Sequence, residues 1–219
     1  MTKAYRIGFS EKEVNKEALN KLGLTFIIVS PREQILISAK SVIGRPYKRG
    51  AGVLMDAPQS FDCSSFSSWL AVEAGYAIPR ISIDQYVFMP KIQKDELEPG
   101  DFIFSNTGKI IHTEGTYFSQ VLGKEVKEEP IRTETLEYKP GTPVPEGLDH
   151  SGVYIGEGKV IHCTKSLGGV VEEDLATAAN FKNIIGYGRL VENSEKRFVV
   201  SVPLEQKGHL QEIIKQIKL

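Results

Sequence analysis

The chain has 219 residues, of which 41% are hydrophobic and 25% are charged, as is usual for a soluble globular protein of one domain with additions. Its net charge of −1 gives no electrostatic reason to expect nucleic acid or an anionic membrane as partner. Two cysteines exclude a disulfide framework and a four-thiolate zinc site. Without an apolar run typical of a membrane span or a secretory signal, we expect a cytoplasmic location by default, with export by another route left open.

The first thirty residues predict a strand, a helix and a second strand. Residues 4–9 have the pattern of a short strand. Ser10 and Glu13 form a capping-box pattern at the start of a helix over 11–22. Residues 24–30, LTFIIVS, are mostly apolar and predict a buried strand.

Two further helices follow, separated by an irregular loop over residues 45–62. Ser30, Pro31 and Glu33 predict the capped start of the first of these helices. The second carries apolar side chains at helical spacing, at Phe66, Trp69, Leu70 and Ala74. Cys63 therefore lies in its first turn, where backbone N–H groups and the helix dipole favour a thiolate.

The second half predicts mostly strands. A turn and strand occupy 97–104, and a β-hairpin occupies 150–164. Between them, residues 105–149 form a long Pro-containing insertion, which is usually a functional or mobile element. The tail, with Leu210, Ile213, Ile214 and Ile217, has the pattern of an amphipathic helix.

Two histidines, His150 and His162, lie in the two arms of the predicted hairpin. They share one face of the sheet only if the loop between the arms has an odd number of residues, as a loop over 156–158 has. In that arrangement Cys63 attacks a carbonyl, His150 exchanges its proton and His162 orients His150. Backbone N–H groups around Cys63 and Ser64 then help to hold the oxyanion.

Other interpretations of these residues are open at this point. If no histidine approaches Cys63, it is a buried structural thiol. His162 could equally be a hydrogen-bonded histidine of the core. A metal site needs Cys63, His150 and His162 to converge, with Cys163 as an optional fourth ligand, although adjacent side chains on one strand diverge. We expect Cys163 to be a packed thiol. The GKIIH stretch ending at His112 resembles GKVIH at 158–162 and indicates a similar strand rather than a second site, with a histidine in a lid as the alternative.

Five stretches in order resemble the NlpC/P60 family of papain-like cysteine peptidases: GRPYKRGA, FDCSSF, GYAIPR, LEPGDFIF and HSGVYIGEGKVIH. The resemblance covers about residues 31–190. It implies an α+β papain-like fold in which a cysteine-bearing helix packs on an antiparallel sheet that carries the histidines. The implied catalytic triad is Cys63, His150 and His162, and the implied substrate-binding residues are Tyr47, Asp62 and Ser64.

The chain departs from the family pattern at several positions near the predicted nucleophile. Ser65 replaces a glycine, Ala51 replaces another, and Arg49 stands where an aromatic residue is frequent. The insertion 105–149 replaces a short loop and is a candidate lid or specificity element. These changes bear on the substrate more than on the chemistry.

The resemblance implies a cysteine hydrolase that cleaves peptidoglycan stem peptides at D-γ-glutamyl-diamino acid bonds, with a peptide or muropeptide as partner and no cofactor. An acyltransferase that uses the same thioester intermediate is an alternative, as is a non-catalytic binding module. The expected divisions are an N-terminal extension (1–30), a catalytic domain (31–192) and a C-terminal strand and helix (193–219). The oligomeric state is not predicted.

Overall fold

The structure is a computed structural model that describes residues 4–108, 116–119, 124–127, 145, 147–191 and 196–218. The α-helices in these residues are α1 (Lys16–Lys21), α2 (Pro31–Ser41), α3 (Cys63–Glu73), α4 (Ser82–Phe88) and α5 (Leu210–Ile217). The strands are β1 (Ala4–Ser10), β2 (Thr25–Val29), β3 (Lys91–Ile92), β4 (Phe102–Ser105), β5 (Thr116–Ser119), β6 (Lys124–Lys127), β7 (His150–Gly156), β8 (Lys159–Thr164), β9 (Gly169–Asp174), β10 (Ile184–Gly188) and β11 (Arg197–Pro203). Short 3-10 turns cover Glu11–Glu13, Lys94–Glu96, Ala179–Phe181 and Leu204–His209. In the described part of the chain, every helix is too short or too polar to cross a membrane.

The larger sheet is antiparallel and has the strand order β3-β10-β4-β7-β8-β9. Helix α3 lies on this sheet against β7 and β8. Its side chains Phe66, Trp69 and Leu70 share one buried core with Val153 and Ile161 of those strands. Burial of this helix face is the main force that holds the helix on the sheet. The predicted α+β architecture, a cysteine-bearing helix on an antiparallel sheet, is confirmed.

The two ends of the chain meet in a second sheet, which has the order β1-β11-β2. One face of it packs with α1 and α5 around a separate hydrophobic cluster that contains Leu19, Phe198, Val200, Ile213 and Ile217. The predicted N-terminal strand and the amphipathic tail helix are confirmed. The two terminal extensions thus form one structural layer, which we call the terminal sheet.

Two predictions for the N-terminal segment are wrong. The helix expected over 11–22 is divided, because Val14 turns into the terminal core and Asn15 caps α1 by accepting a hydrogen bond from the Ala18 N–H at 3.1 Å. The strand β2 is not buried, because it lies at the edge of the terminal sheet, and Ile27 and Ile28 remain 46% and 51% exposed.

The start of α2 is correct in position but not in its capping contacts. Pro31 is the first helical residue, as predicted. The side chain of Ser30 makes no capping hydrogen bond, so the predicted capping box with Glu33 does not form. The fixed φ of Pro31 is sufficient to begin the helix without it.

The hairpin between β7 and β8 reaches odd spacing by an unexpected route. Gly156 pairs with Lys159, which leaves Glu157 and Gly158 as a two-residue tip with φ values of 53° and 72°. Positive φ at both positions is typical of the type I′ turn that hairpins favour. A shift of register between residues 154 and 156 leaves Ile155 as one extra residue on β7.

This bulge determines which way the two histidines point. Below it, Tyr154 pairs with Val160, so residues of equal parity on β7 and β8 share a face. His150 and His162 therefore lie on the same face of the sheet. The predicted parity is confirmed, but it comes from a two-residue turn plus a bulge and not from a three-residue loop.

Candidate active site

Cys63 is the first residue of α3, where a reciprocal pair of hydrogen bonds caps the helix. The Asp62 carboxylate accepts from the Ser65 N–H at 2.7 Å, and the Asp62 N–H donates to the Ser65 hydroxyl at 2.8 Å. These bonds satisfy groups that every helix start leaves unpaired. The sequence DCSS therefore begins the helix at the cysteine, and the predicted position of Cys63 is confirmed.

Arg80 supports this cap from the loop after α3. Its guanidinium donates to the Asp62 carboxylate, to the Ser64 hydroxyl at 2.7 Å and to the Ala51 carbonyl at 2.8 Å. The Gly50 N–H also donates to Asp62, at 3.0 Å. Asp62 and Ser64 are both 7% exposed, and neither lines the cleft described below. A substrate amine that reached Asp62 would have to share this carboxylate with Arg80.

The two histidines form a direct contact beneath the cleft. Nε2 of His150 lies 2.8 Å from Nδ1 of His162, with the rings perpendicular. Gly152 stands opposite His162, and a Cβ there would lie 2.8 Å from the Phe181 ring and 3.0 Å from the His162 Cβ. The glycine in the HSG stretch thus gives the imidazole the space that it occupies.

Two side chains that sequence analysis missed complete this contact. Nε2 of His162 lies 2.7 Å from a carboxylate oxygen of Glu173, on the neighbouring strand β9. The Asn180 amide nitrogen lies 3.4 Å from Nε2 of His150 and donates to the Thr164 hydroxyl at 2.6 Å. The alternation of β9 places residues 171 and 173 on one face, but only the register to β8 shows that this face is that of His162.

A serine pair joins the helix to the histidine strand. The hydroxyl oxygens of Ser67 on α3 and Ser151 on β7 are 2.9 Å apart, so one donates to the other, and each also lies 3.4 Å from the Cys63 carbonyl oxygen. Because Ser151 follows His150 directly, this contact keeps the start of α3 close to the base of the histidine strand. Both serines are fully buried, so their mutual hydrogen bond is needed to offset the loss of water.

Cys63 and His150 open together into a cleft of about 460 Å³. Its other lining residues are Tyr47, Arg49, Thr107, Asp149, Cys163, Thr164, Lys165, Ser166 and Asn180. The insertion leaves and re-enters the fold at this cleft, where the Thr107 N–H donates to the Asp149 carboxylate at 2.8 Å. Two predictions for the insertion, its role as a lid and the strand ending at His112, concern residues that lie outside the described part of the chain.

The surroundings of Cys63 favour its thiol over its thiolate. Burial raises its pKa to about 12, and the adjacent Asp62 carboxylate adds to the rise, while the Ser64 N–H opposes it. The thiol donates a hydrogen bond of 3.6 Å to the Asp149 carbonyl. The expectation that the helix start by itself favours a thiolate is therefore wrong, because desolvation outweighs the backbone N–H groups.

Other ionisable groups here respond mainly to burial. Burial raises the pKa of Tyr47 to about 12, and Cys63 contributes further. Burial lowers the pKa of His162, while the Glu173 carboxylate acts in the opposite direction. Cys163 is fully buried and donates to the Phe61 carbonyl at 3.2 Å, as expected of a packed thiol.

Comparison with known proteins identifies relatives of one kind. A model of the NlpC/P60 family matches residues 44–139. "Probable endopeptidase p60" of Listeria seeligeri is 24% identical over 156 residues, which are 71% of this chain and 22% of that protein. "Bifunctional muramidase/DL-endopeptidase CwlT" of Bacillus subtilis is 23% identical over 158 residues, 72% of this chain and 36% of that protein. The matches thus span well under half the length of these curated relatives.

Solved structures show the same fold. An NlpC/P60 family protein from Bacillus cereus ATCC 10987 superposes with a TM-score of 0.51 at 22% identity, over 74% of this chain and 40% of that one. NlpC1 from Trichomonas vaginalis gives a TM-score of 0.50 at 18% identity, over 74% of this chain and 44% of that one. These similarities agree with the helix-on-sheet architecture described above.

Proposed function

We propose that this chain, which matches a model of the NlpC/P60 family over residues 44–139 and resembles relatives named as endopeptidases, is a cysteine hydrolase of peptidoglycan stem peptides. The bond cleaved is of the D-γ-glutamyl-diamino acid type. The observation that carries the proposal is the shared cleft of Cys63 and His150, with His150 held from behind by His162.

In this mechanism Cys63 is the nucleophile and His150 the general base. Because the pKa of the buried thiol is raised to about 12, almost no thiolate exists at neutral pH without a base. Nε2 of His150 faces His162, so we assign the proton transfer to Nδ1, the other ring nitrogen. His150 later returns this proton to the leaving amine, and water hydrolyses the thioester.

The start of α3 supplies the groups that stabilise the tetrahedral intermediate. The Ser64 N–H acts to lower the pKa of Cys63, against the larger effect of burial. We assign the oxyanion to the N–H groups of Cys63 and Ser64, where the helix dipole adds positive potential. Tyr47 lines the same cleft and is assigned to the substrate backbone. Asp62 and Ser64 are assigned to a free amine at the substrate's end on the resemblance alone, and that amine would have to share them with Arg80.

The experiment that tests this function is digestion of defined muropeptides, read by mass spectrometry. The wild type should cleave after the D-γ-glutamyl residue, and Cys63→Ala should release no product. Cys163→Ala is the matched control, since it removes the other thiol and should still cleave. If the wild type cleaves no stem peptide, or if Cys63→Ala cleaves as fast as the wild type, the proposal is wrong.

The same assay addresses the two alternative functions and the compartment. Added amines that appear in the product indicate an acyltransferase, whereas retention of uncleaved muropeptide indicates a binding module. Digestion of intact cell walls beside soluble muropeptides tests the location, because a substrate in the assembled wall requires the protein to act outside the cytoplasm.

A further inference from the structure

Glu173 is the end of a chain of buried hydrogen bonds that begins at the nucleophile's base. His150 on β7, His162 on β8 and Glu173 on β9 lie side by side on adjacent strands, with contacts of 2.8 and 2.7 Å. The side chain of His162 is fully buried, and that of Glu173 is 27% exposed. One end of this chain therefore faces the cleft and the other reaches solvent.

The register of β8 and β9 places Glu173 on the face that carries His162, and Glu172 on the opposite face. Val160 pairs with Glu173, and His162 with Val171, so all four lie on one face. Glu172 lies on the opposite face, where its carboxylate pairs with Lys159 at 2.9 Å. Two adjacent glutamates thus have different surroundings for a purely geometric reason.

A carboxylate at this position determines where the ring protons of both histidines lie. An ionised carboxylate only accepts hydrogen bonds, so Nε2 of His162 must carry a proton toward Glu173. In neutral His162, Nδ1 is then the acceptor, and Nε2 of His150 must donate to it. Neutral His150 therefore has its lone pair on Nδ1, the nitrogen that takes the proton of Cys63 in the proposed mechanism.

The Asn180 amide is a second donor near His150, but it does not reverse this order of ring protons. The Asn180 amide nitrogen is 3.4 Å from Nε2 of His150, which is long, and its shorter bond of 2.6 Å goes to Thr164. The 3-10 turn Ala179–Phe181 also packs against His162, through the Phe181 ring, which carries no charge. Among the described residues of β7 and β9, the ionisable groups within hydrogen-bond distance of His162 are His150 and Glu173.

We propose that Glu173 is a positioning residue that fixes the tautomers of His162 and His150 and compensates the positive charge that His150 gains from Cys63. The proposal rests on the proposed function for the identity of base and nucleophile. It predicts a role for the carboxylate charge that neither the triad residues nor the fold require. Burial disfavours the imidazolium, and the nearby carboxylate opposes that effect.

The test compares Glu173→Gln with Glu172→Gln, which removes the same charge one residue away on the other face. The measurement is the rate of Cys63 alkylation by iodoacetamide from pH 5 to 10, together with kcat/KM on the muropeptide. We expect Glu173→Gln to lower the alkylation rate at pH 7 by roughly 10- to 100-fold and to lower the pKa of the acid limb. Glu172→Gln should match the wild type in both.

Alkylation needs no substrate, so the alkylation measurement still tests the role of Glu173 if the protein does not cleave muropeptides. Equal alkylation profiles for Glu173→Gln and Glu172→Gln would overturn the proposal. If Glu173→Gln does not fold, histidine ¹⁵N chemical shifts in the wild type decide the matter. Nε2-protonated rings at both His150 and His162 support the proposal, and an Nδ1-protonated neutral ring at either position overturns it.

Discussion

The two ends of helix α3 differ in what their polar contacts do. At its start, Asp62, Ser65 and Arg80 form a cap around the residue that carries the thiol. At its end, Glu73 forms an ion pair with Arg6 of the terminal sheet, and Gly75 touches that sheet directly. The polar contacts at the start of α3 thus position the Cys63 sulfur, whereas those at its end attach the terminal sheet to the helix.

Contacts at the far end are made by backbone and guanidinium groups. Arg197 donates to the carbonyls of Gly75 at 3.0 Å and Gly8 at 3.2 Å, and its guanidinium lies 4.2 Å from the Tyr76 ring centre. A Cβ on Gly8 would lie 1.8 Å from the Gly75 oxygen. We therefore expect changes near Cys63 to alter chemistry and changes near Gly75 to alter stability.

The largest expected effect is at the start of α3, from His150→Gln, which keeps the volume but removes the base. Because burial raises the pKa of Cys63 to about 12, the alkylation rate without a base should rise about tenfold per pH unit from pH 7 to 10. At pH 7 the rate should be about 1,000-fold below that of the wild type.

The control for this variant is at the other end of the helix. Arg6→Gln removes the ion pair with Glu73 and should leave the alkylation profile of Cys63 unchanged. A wild-type profile in His150→Gln would mean that Cys63 ionises without His150, and the assigned base would be wrong. An altered profile in Arg6→Gln would mean that the two ends of the helix are not independent.

The next largest effect is on stability, from Gly8→Ala. The added Cβ meets backbone of Gly75, which a rotamer change does not relieve, so we expect a loss of about 3 kcal/mol and a Tm lower by roughly 10 °C. Gly208→Ala is the matched control, because nothing lies within 4 Å of a Cβ there. Denaturant titration measures the stability, and alkylation of the remaining folded protein should be normal. A Tm unchanged from that of Gly208→Ala contradicts the close packing of the terminal sheet on α3.

Local patterns predicted those parts of the molecule that depend on local rules. The helical spacing of the apolar side chains from Phe66 onward predicted that Cys63 lies in the first turn of α3. Strand parity predicted a shared face for His150 and His162 on condition of odd spacing, which the bulge in β7 supplies. These rules place Cys63 in the first turn of a helix and His150 and His162 in the two arms of a hairpin before any tertiary contact is known. They also place Pro31 at the start of α2.

Features that depend on register or on distant pairing were missed. Glu173 differs from Glu172 only through the alignment of β9 with β8, which short-range patterns do not contain. The exposure of Ile27 follows from the edge position of β2, and that position depends on a partner strand about 170 residues away. The raised pKa of Cys63 is likewise a consequence of burial by the completed fold.

The smallest expected effect concerns Ser65, where the family pattern has glycine. Its hydroxyl accepts from the Asp62 N–H, so Ser65→Ala leaves that buried donor unsatisfied and should cost about 1–2 kcal/mol. Ser65→Gly should cost about 1 kcal/mol more, because glycine is unfavourable in a helix. Both variants should cleave the muropeptide within a few-fold of the wild type, since Ser65 is fully buried behind the nucleophile.

Activity of the two Ser65 variants separates a structural from a selective role. If Ser65→Gly cleaves more than tenfold faster than Ser65→Ala, the serine restricts the approach of substrate to the backbone beside Cys63. Equal activities, with the stability difference measured by denaturant titration, mean that Ser65 replaces the glycine only as a helix cap. In that case the side chains at the rim of the cleft, Arg49 among them, are what distinguishes this site from the family pattern.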